Sequence, residues 1–326
     1  MSKIKPRRMK VFLTRKLHDF CMKELQRHFD IETHSGPFPI PKKKLVTKIK
    51  DKDGLISFPY DTIDKEVIES GKKLKTISAF SVGYDHIDIK SAKRRKIIIG
   101  YTPEVLTIAT ADLTITLILD MLRRVTEGDR LVRAGGWKEV FGPDTYVGEE
   151  IAGKTLGILG LGRIGKMVAK KAKVFDIKVI YHNRKKIPHK DEKSLGVRFV
   201  SLDSLFKKSD IISIHVPYSK ETHEFVNKKL IKKMKKTAFL VNTARGKIIK
   251  ENDLVLALKQ KKIAGAALDV FYNEPISNKH PLTKLQNVVL APHIGSSSVK
   301  TRAKMAELTV DNLKLGILGK KPIYSV

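Results

Sequence analysis

Three glycines near the middle of the chain have the spacing of a phosphate-binding loop. Gly160, Gly162 and Gly165 form the motif GLGRIG, which follows an apolar strand predicted at 155–158 and precedes a segment, 166–175, with helical spacing. A tight turn, the close approach of a pyrophosphate to backbone N–H groups and tight helix packing each need glycine, and the helix N-terminus then faces the phosphates. This context favours dinucleotide binding over a glycine-rich turn that binds nothing.

The end of the next predicted strand bears on which dinucleotide is bound. Loops that bind NAD carry Asp or Glu there, about 20 residues beyond the glycines, to accept hydrogen bonds from the ribose hydroxyls. This chain has Asn183, Arg184 and Lys185 instead. Because a guanidinium suits a 2′-phosphate, the sequence predicts NADP as the preferred cofactor and leaves NAD as the alternative.

Two series of alternating strands and helices must position these residues. Up to residue 100, short β-rich runs alternate with helical patterns, at 11–13, 54–58, 75–79 and 97–100. From Thr155 the alternation starts again, with the strand candidates TLGILG, KVIYHN, VRFV, IISIHVP, AFLVNTA, AGAALDV and NVVLAPH. Such alternation is typical of parallel βαβ units. The predicted fold class is therefore α/β, with two doubly wound, Rossmann-like parallel sheets and an active site in the cleft between their domains.

The length of 326 residues also exceeds what one hydrophobic core usually organises. A last helical pattern, at 298–318, follows the second sheet and needs a surface to cover, so we expect it to return to the first domain. The predicted division is a discontinuous catalytic, substrate-binding domain, 1–104 plus 297–326, and a dinucleotide-binding domain, 105–296.

Composition limits the classes of binding partner and the cellular compartment that we expect for this protein. The net charge of +31 would suit nucleic acid, but the lysines are spread along the whole chain, so we expect a solvated basic surface and no specific nucleic-acid partner. The longest apolar stretch, 105–122, is interrupted by Asp112 and Asp120, which argues against a membrane partner. A single cysteine, Cys21, and an N-terminus without the apolar core of a secretory signal predict a cytoplasmic protein.

Seven motifs in order give the chain a resemblance to a known family. It resembles the D-isomer-specific 2-hydroxyacid dehydrogenases, and within them the glyoxylate/hydroxypyruvate reductases. The motifs are SVGYDHID at 81–88, ATADLT at 109–114, GKTLGILGLGRIG at 153–165, HVPYSKETHEFVN at 215–227, NTARGKIIKENDLVLAL at 242–258, AGAALDVFYNEP at 264–275 and APHIGS at 291–296. The resemblance implies an enzyme that transfers a hydride from NAD(P)H to the C2 carbonyl of a small 2-keto acid and forms the D-2-hydroxy acid.

The same resemblance assigns a catalytic set, Arg245, Glu274 and His293. A guanidinium can bind a planar carboxylate through two parallel hydrogen bonds. Hydride arrival at the carbonyl carbon leaves an alkoxide that needs a proton, and histidine suits that task near neutral pH. A carboxylate behind the imidazole favours its protonated form and fixes its orientation.

Other roles are implied by the resemblance alone. The backbone of Val82 and Gly83 would bind the substrate carboxylate, alongside Arg245 and His293. His215 is expected to pack against the cofactor rather than to act in catalysis, and no metal is expected. Contacts to the cofactor are assigned to Arg163, Ile164, Gly165, Lys166, Pro217, Thr243, Ala244, Asp269 and Gly295, and also to Arg245 and His293.

The identity of the substrate and of the partner is less constrained. Related reductases often present a tryptophan to the neighbouring subunit from the loop after GGW, where this chain has Val140 or Phe141, so hydroxypyruvate is less favoured. The long helix from Val105 resembles the dimerisation element of the family, and we expect a homodimer. Phosphoglycerate or D-lactate remain alternative substrates, and a dinucleotide-sensing corepressor or scaffold on the same fold is the alternative of another class.

Overall fold

The structure, a computed structural model, describes residues 7–326. Residues 1–6, part of the N-terminus in which no secretory signal is predicted, lie outside the described residues. The chain divides into two compact units. One unit comprises the chain up to Leu106 together with Ser297–Val326, and the other comprises Thr107–Ser296.

The first unit is a five-stranded parallel sheet in the order β2-β1-β3-β4-β5. Its apolar strand residues, such as Phe12, Leu55 and Ile77, are buried against the helices. The elements are β1 (Lys10–Leu13), α1 (Asp19–His28), β2 (Asp30–Thr33), α2 (Lys42–Lys48), β3 (Gly54–Ser57), α3 (Lys65–Ser70), β4 (Thr76–Ala79), α4 (Ile89–Arg94) and β5 (Ile98–Gly100).

The second unit is a seven-stranded parallel sheet in the order β12-β11-β10-β9-β6-β7-β8. Each of the seven strand candidates predicted from Thr155 onwards is found. The elements are α5 (Thr107–Arg123), α6 (Val125–Arg133), β6 (Thr155–Leu159), α7 (Arg163–Ala172), β7 (Lys178–His182), α8 (His189–Leu195), β8 (Val197–Phe199), α9 (Leu202–Lys208), β9 (Ile211–Ile214), α10 (Lys228–Ile231), β10 (Phe239–Asn242), α11 (Glu251–Lys259), β11 (Gly265–Leu268) and β12 (Val288–Leu290).

Helix α5 lies on the second sheet, against α7 and strands β10, β11 and β12. Its buried face includes Ala111, Ile115 and Ile118, which join the core formed with β6 and α7. Helix α5 is amphipathic rather than uniformly apolar. Within residues 7–326, no helix combines the length and apolar character needed to span a bilayer.

The last helix, α12 (Val299–Ile317), packs on β3, β4 and β5 of the first unit. Ser298 caps its N-terminus by accepting a hydrogen bond from the Thr301 N–H. The Ser78 hydroxyl donates to the carbonyl of Thr309 at 2.7 Å, so the helix is fastened to β4 by polar as well as apolar contacts.

Candidate active site

The glycine loop joins β6 to α7, and its three glycines meet different steric demands. Gly160 has φ +99°, and a Cβ there would lie 2.6 Å from the backbone nitrogen of Val216. A Cβ on Gly165 would lie 2.3 Å from the carbonyl oxygen of Gly160. Beside Gly162, by contrast, a Cβ would meet no described atom within 4 Å. The loop is thus tight on its protein side and open where a pyrophosphate would approach.

The N-terminus of α7 faces this open side. Gly162 is the N-cap residue and has no side chain to offer to the first-turn N–H groups, which begin with Arg163. Such a terminus suits an anion, since its N–H groups and its dipole both favour negative charge. Ile164 packs against the core, and the Lys166 ammonium pairs with Asp191 at 3.3 Å. The residues of the loop therefore fit a dinucleotide, with backbone rather than Lys166 supplying the nearest donors.

The basic segment after β7 comprises residues 183–186, and it begins with a contact to the glycine loop. The Asn183 side-chain oxygen accepts a hydrogen bond from the Leu161 N–H at 2.6 Å. Asn183 thereby ties the end of β7 to the glycine loop. Arg184 and Lys185, which follow it, are exposed.

His293 and Glu274 form a close pair beyond the carboxyl ends of β12 and β11. His293 Nδ1 lies 2.7 Å from Glu274 Oε2, and the two side chains are 23% and 14% exposed. The other carboxylate oxygen, Oε1, accepts from the Phe271 N–H at 2.8 Å, which fixes the orientation of the carboxylate. Because Nδ1 faces Glu274, a proton given to a substrate must leave from Nε2 of His293.

Asp269 holds the backbone that follows His293. Its two carboxylate oxygens accept from the N–H groups of Ile294 at 2.7 Å and Gly295 at 2.8 Å. The side chain is almost fully buried, and burial raises the pKa of Asp269 to about 6. The sequence predicts a cofactor contact for Asp269, and the structure adds that this carboxylate supports the His293 loop.

Arg245 leaves β10 through a turn shaped by Asn242, a buried residue that the sequence analysis does not single out. The Asn242 amide accepts from the Ala244 N–H at 3.0 Å and donates to the Arg245 carbonyl at 2.9 Å. A Cβ on Gly246 would lie 1.9 Å from the backbone of Phe271. The absence of a side chain at Gly246 thus lets the Arg245 turn pack directly against the loop that carries Glu274.

Two threonines on α5 connect these loops, and sequence reasoning does not predict their contacts. The Thr110 hydroxyl donates to the Gly295 carbonyl at 3.1 Å. The Thr114 hydroxyl donates to the Thr110 carbonyl at 2.8 Å and lies 2.9 Å from the hydroxyl of Thr243. Since Thr114 has one proton, Thr243 must be the donor in this second bond. The sequence feature that could have indicated these contacts is the i, i+4 spacing of Thr110 and Thr114 on the buried face of α5.

The remaining predicted residues occupy strand ends in both units. In the first unit, Val82 and Gly83 follow β4, and the Ser81 hydroxyl donates to the Gly83 carbonyl at 2.7 Å. In the second unit, His215 lies 2.8 Å from the Ser213 hydroxyl, and burial lowers the pKa of His215 to about 3, which suits packing rather than acid–base work. Pro217 follows it and is exposed. Within residues 7–326 no cluster of His, Cys, Asp or Glu suited to a metal ion is found.

The second unit thus has a glycine loop, an uncapped helix N-terminus and a histidine–carboxylate pair at the carboxyl edge of one parallel sheet. These features define an oxidoreductase that uses a nicotinamide dinucleotide. Residues 115–295, more than half of the chain, match the family model described as "D-isomer specific 2-hydroxyacid dehydrogenase, NAD binding domain". The chain belongs to the D-isomer specific 2-hydroxyacid dehydrogenase family.

Individual relatives agree with this assignment. The chain is 45% identical to a glyoxylate reductase of Thermofilum pendens over 97% of this chain and 93% of that one. It is also 45% identical to a glyoxylate reductase of Pyrococcus horikoshii, over 93% and 91% of the two chains. Among solved structures, a protein of Thermus thermophilus is 42% identical, with a TM-score of 0.91 and coverage of 98% and 100%.

One further structure holds ligands. It is an NADPH-dependent glyoxylate/hydroxypyruvate reductase of Sinorhizobium meliloti in complex with NADP and malonate, 29% identical, with a TM-score of 0.86 and coverage of 98% and 97%. The predicted fold class, family and enzyme class are confirmed. The protein is an enzyme that reduces a 2-keto acid with a nicotinamide dinucleotide.

Proposed function

We propose that the protein reduces glyoxylate and similarly short 2-keto acids to D-2-hydroxy acids, with NADPH as the preferred cofactor. The observation that carries the proposal is the 2.7 Å contact between His293 and Glu274, which leaves Nε2 as the proton-donating atom. The likeness to glyoxylate reductases along nearly the whole chain supports glyoxylate as the substrate.

The proposed roles follow from the chemistry of the residues. The bound cofactor supplies a hydride to the C2 carbonyl carbon. Arg245 binds the substrate carboxylate and keto oxygen, with the backbone N–H groups of Val82 and Gly83 as further donors. His293 gives a proton to the oxygen as the C–O double bond becomes single. Glu274 compensates the imidazolium charge before that transfer, so the hydride and the proton together complete the two-electron reduction.

Cofactor binding is proposed to use the glycine loop for the pyrophosphate and the basic segment after β7 for the 2′-phosphate. Each charge-assisted hydrogen bond to that phosphate is worth roughly 1.5 to 3 kcal/mol, or about 10- to 150-fold in affinity. The nicotinamide end would lie near Thr243, Ala244, Asp269 and Gly295, with Pro217 along the wall. The first unit, including α12, is then the substrate-binding domain.

We also propose a homodimer, joined through α6 and the loop that follows it. Helix α6 buries none of its residues in this chain. Large apolar side chains of this region are exposed, among them Val125, Val132, Trp137, Val140 and Val147. Several large apolar side chains left exposed within one segment of the chain suit an interaction site. Helix α5, in contrast, directs its buried face into its own unit.

The substrate is tested with a panel of 2-keto acids and both cofactors, followed by absorbance of the reduced nicotinamide. We expect the highest kcat/KM with glyoxylate and NADPH. His293→Ala should lower the rate of reduction by about 10²- to 10⁴-fold while the cofactor still binds. His280→Ala is the matched control, because His280 also pairs with a glutamate, Glu251, at 3.0 Å.

A stable protein partner recovered without turnover of any keto acid would favour the corepressor alternative. Retention of more than a tenth of the wild-type rate by His293→Ala, with chemistry rate-limiting, would remove His293 from its proposed role.

The cofactor preference is tested with Arg184→Ala. The KM for NADPH should rise about 10- to 150-fold with little change for NADH, because NADH has no phosphate for the guanidinium to bind. Arg198→Ala, an exposed arginine on β8, controls for the general loss of positive charge. Equal weakening of both cofactors by Arg184→Ala would remove Arg184 from the 2′-phosphate site, and a wild type that already prefers NADH would contradict the preference for NADPH.

A further inference from the structure

A buried phenol lies directly beneath the basic segment after β7. Tyr181 is fully buried, and its hydroxyl donates to Glu192 Oε1 at 3.0 Å. The same hydroxyl oxygen accepts a hydrogen bond from the Ile187 N–H at 3.0 Å. One phenol therefore connects helix α8, which carries Glu192, to the loop at 183–188.

Glu192 is itself held by several groups. Its Oε1 also accepts from the Phe199 N–H at 3.1 Å, and its Oε2 lies 3.1 Å from the Lys186 ammonium. Burial raises the pKa of Glu192, but the hydrogen bonds from Lys186, Tyr181 and Phe199 outweigh it and hold the pKa below its ordinary value. Glu192 is therefore a carboxylate at neutral pH, with Lys186 as its counter-ion.

These contacts separate the residues that attach the loop to its surroundings from those that are exposed. The loop is fastened at Asn183 to the glycine loop, at Lys186 to Glu192 and at Ile187 to Tyr181. Between the fastened positions lie Arg184 and Lys185, both exposed. The ammonium of Lys186 is directed to Glu192, so Arg184 and Lys185 are the exposed basic side chains that remain for a phosphate on a loop held on both sides.

We infer that Tyr181 and Glu192 are positioning residues that set the preference for NADPH by holding this loop so that Arg184 and Lys185 meet the 2′-phosphate. The inference rests on the proposed preference for NADPH. A loop that is already ordered loses less conformational entropy when the phosphate binds, so the same contacts give more affinity. NADH makes no contact with a 2′-phosphate site and should not depend on this order.

The test is Tyr181→Phe, which removes the hydroxyl and keeps the buried ring. We expect the KM for NADPH to rise about 3- to 10-fold, the size expected for one or two lost hydrogen bonds. The KM for NADH and both kcat values should change less than about twofold. Tyr324→Phe is the matched control, because it removes a hydroxyl that donates to Glu104 in the other unit.

Hydrogen exchange in the cofactor-free enzyme supplies a readout that does not depend on activity. The Ile187 amide should exchange at least several-fold faster in Tyr181→Phe, because it loses its acceptor. Unchanged exchange would overturn the inference, and so would equal losses with both cofactors. Lys186→Met removes the other attachment on this side of the loop, the ion pair with Glu192, without touching the phenol, and should also raise the KM for NADPH. Unchanged NADPH selectivity in that variant would overturn the role of Glu192.

A double variant separates this inference from the cofactor proposal. In an Arg184→Met background, Tyr181→Phe should have less effect on NADPH, because there is less phosphate contact left to position. If Arg184→Met and Lys185→Met leave NADPH selectivity unchanged, the proposed contacts of this segment with the 2′-phosphate fail. If these two variants lower selectivity but Tyr181→Phe does not, only the positioning role fails.

Discussion

Replacement of Glu274 by glutamine tests whether this carboxylate controls proton delivery. The two oxygens of Glu274 have separate partners, the Phe271 N–H at 2.8 Å and His293 Nδ1 at 2.7 Å. Glutamine has one oxygen and one NH2 group, so it cannot serve both. If its oxygen stays with Phe271, its NH2 group faces Nδ1, and His293 must then be a neutral imidazole, which is a very weak acid.

The expected loss follows from the bond that is removed. A hydrogen bond to a charged group contributes about 1.5 to 3 kcal/mol, which corresponds to about 10- to 150-fold. Both side chains of the pair are more than three-quarters buried, so solvent compensates little for its loss. The kcat/KM for keto acid reduction should fall by that factor, and the dissociation constant of the cofactor should stay unchanged.

The assay is steady-state reduction at saturating cofactor, with cofactor binding measured separately by nicotinamide fluorescence. The chain offers a matched control in Glu251→Gln, because Glu251 also pairs with a histidine, His280, and also accepts from a backbone N–H, that of Tyr272 at 3.1 Å. That variant should retain most of its activity. Retention of more than a third of the activity by Glu274→Gln, or equal losses in the two variants, would refute the reasoning.

Three further predictions concern the supports of the site and its surface. Because burial raises the pKa of Asp269 to about 6, the ionised form that accepts two N–H groups is lost as the pH falls through 6. The kcat should fall with it, and in Asp269→Asn the kcat should be low without this limb. Thr114→Val should lower the melting temperature and raise the KM for both cofactors, because the Thr243 hydroxyl loses its acceptor; Thr114→Ser should restore both. Val132→Asp on α6 should yield monomers in sedimentation analysis, whereas Val174→Asp, at a valine elsewhere that is even more exposed, should not.

Strands that lie in the middle of a parallel sheet could be predicted from the sequence, because burial on both faces leaves an apolar run. Ile211–Ile214 is fully buried along its length and was predicted. Strand β2, Asp30–Thr33, was not predicted. It lies at the edge of the first sheet, is partly exposed, and consists of Asp, Ile, Glu and Thr, so its sequence has neither an apolar run nor a clear alternation.

The candidate site residues could be named from the motifs that resemble the family, but their supporting contacts could not be predicted. Asp269 is 25 residues from Ile294 in the chain, and Thr110 is 185 residues from Gly295. Such bonds exist only after the order of the strands brings the segments together. A motif records which residue is present but not which backbone groups surround it. It therefore predicts a cofactor contact for Asp269 but not the hydrogen bonds that Asp269 accepts from the His293 loop.

The position of His293 shows why those contacts matter for the chemistry. Its φ of +54° is in the left-handed region, which a residue with a side chain adopts at a cost of roughly 1 to 2 kcal/mol. The loop is held in this conformation from three directions, by Asp269 on the N–H groups that follow, by Thr110 on the Gly295 carbonyl, and by Glu274 on the ring. None of the three lies on β12, the strand that delivers His293. The proposed proton donor is therefore positioned mainly by the loop that follows β11 and by α5, and variants there should affect the rate of reduction without touching the substrate.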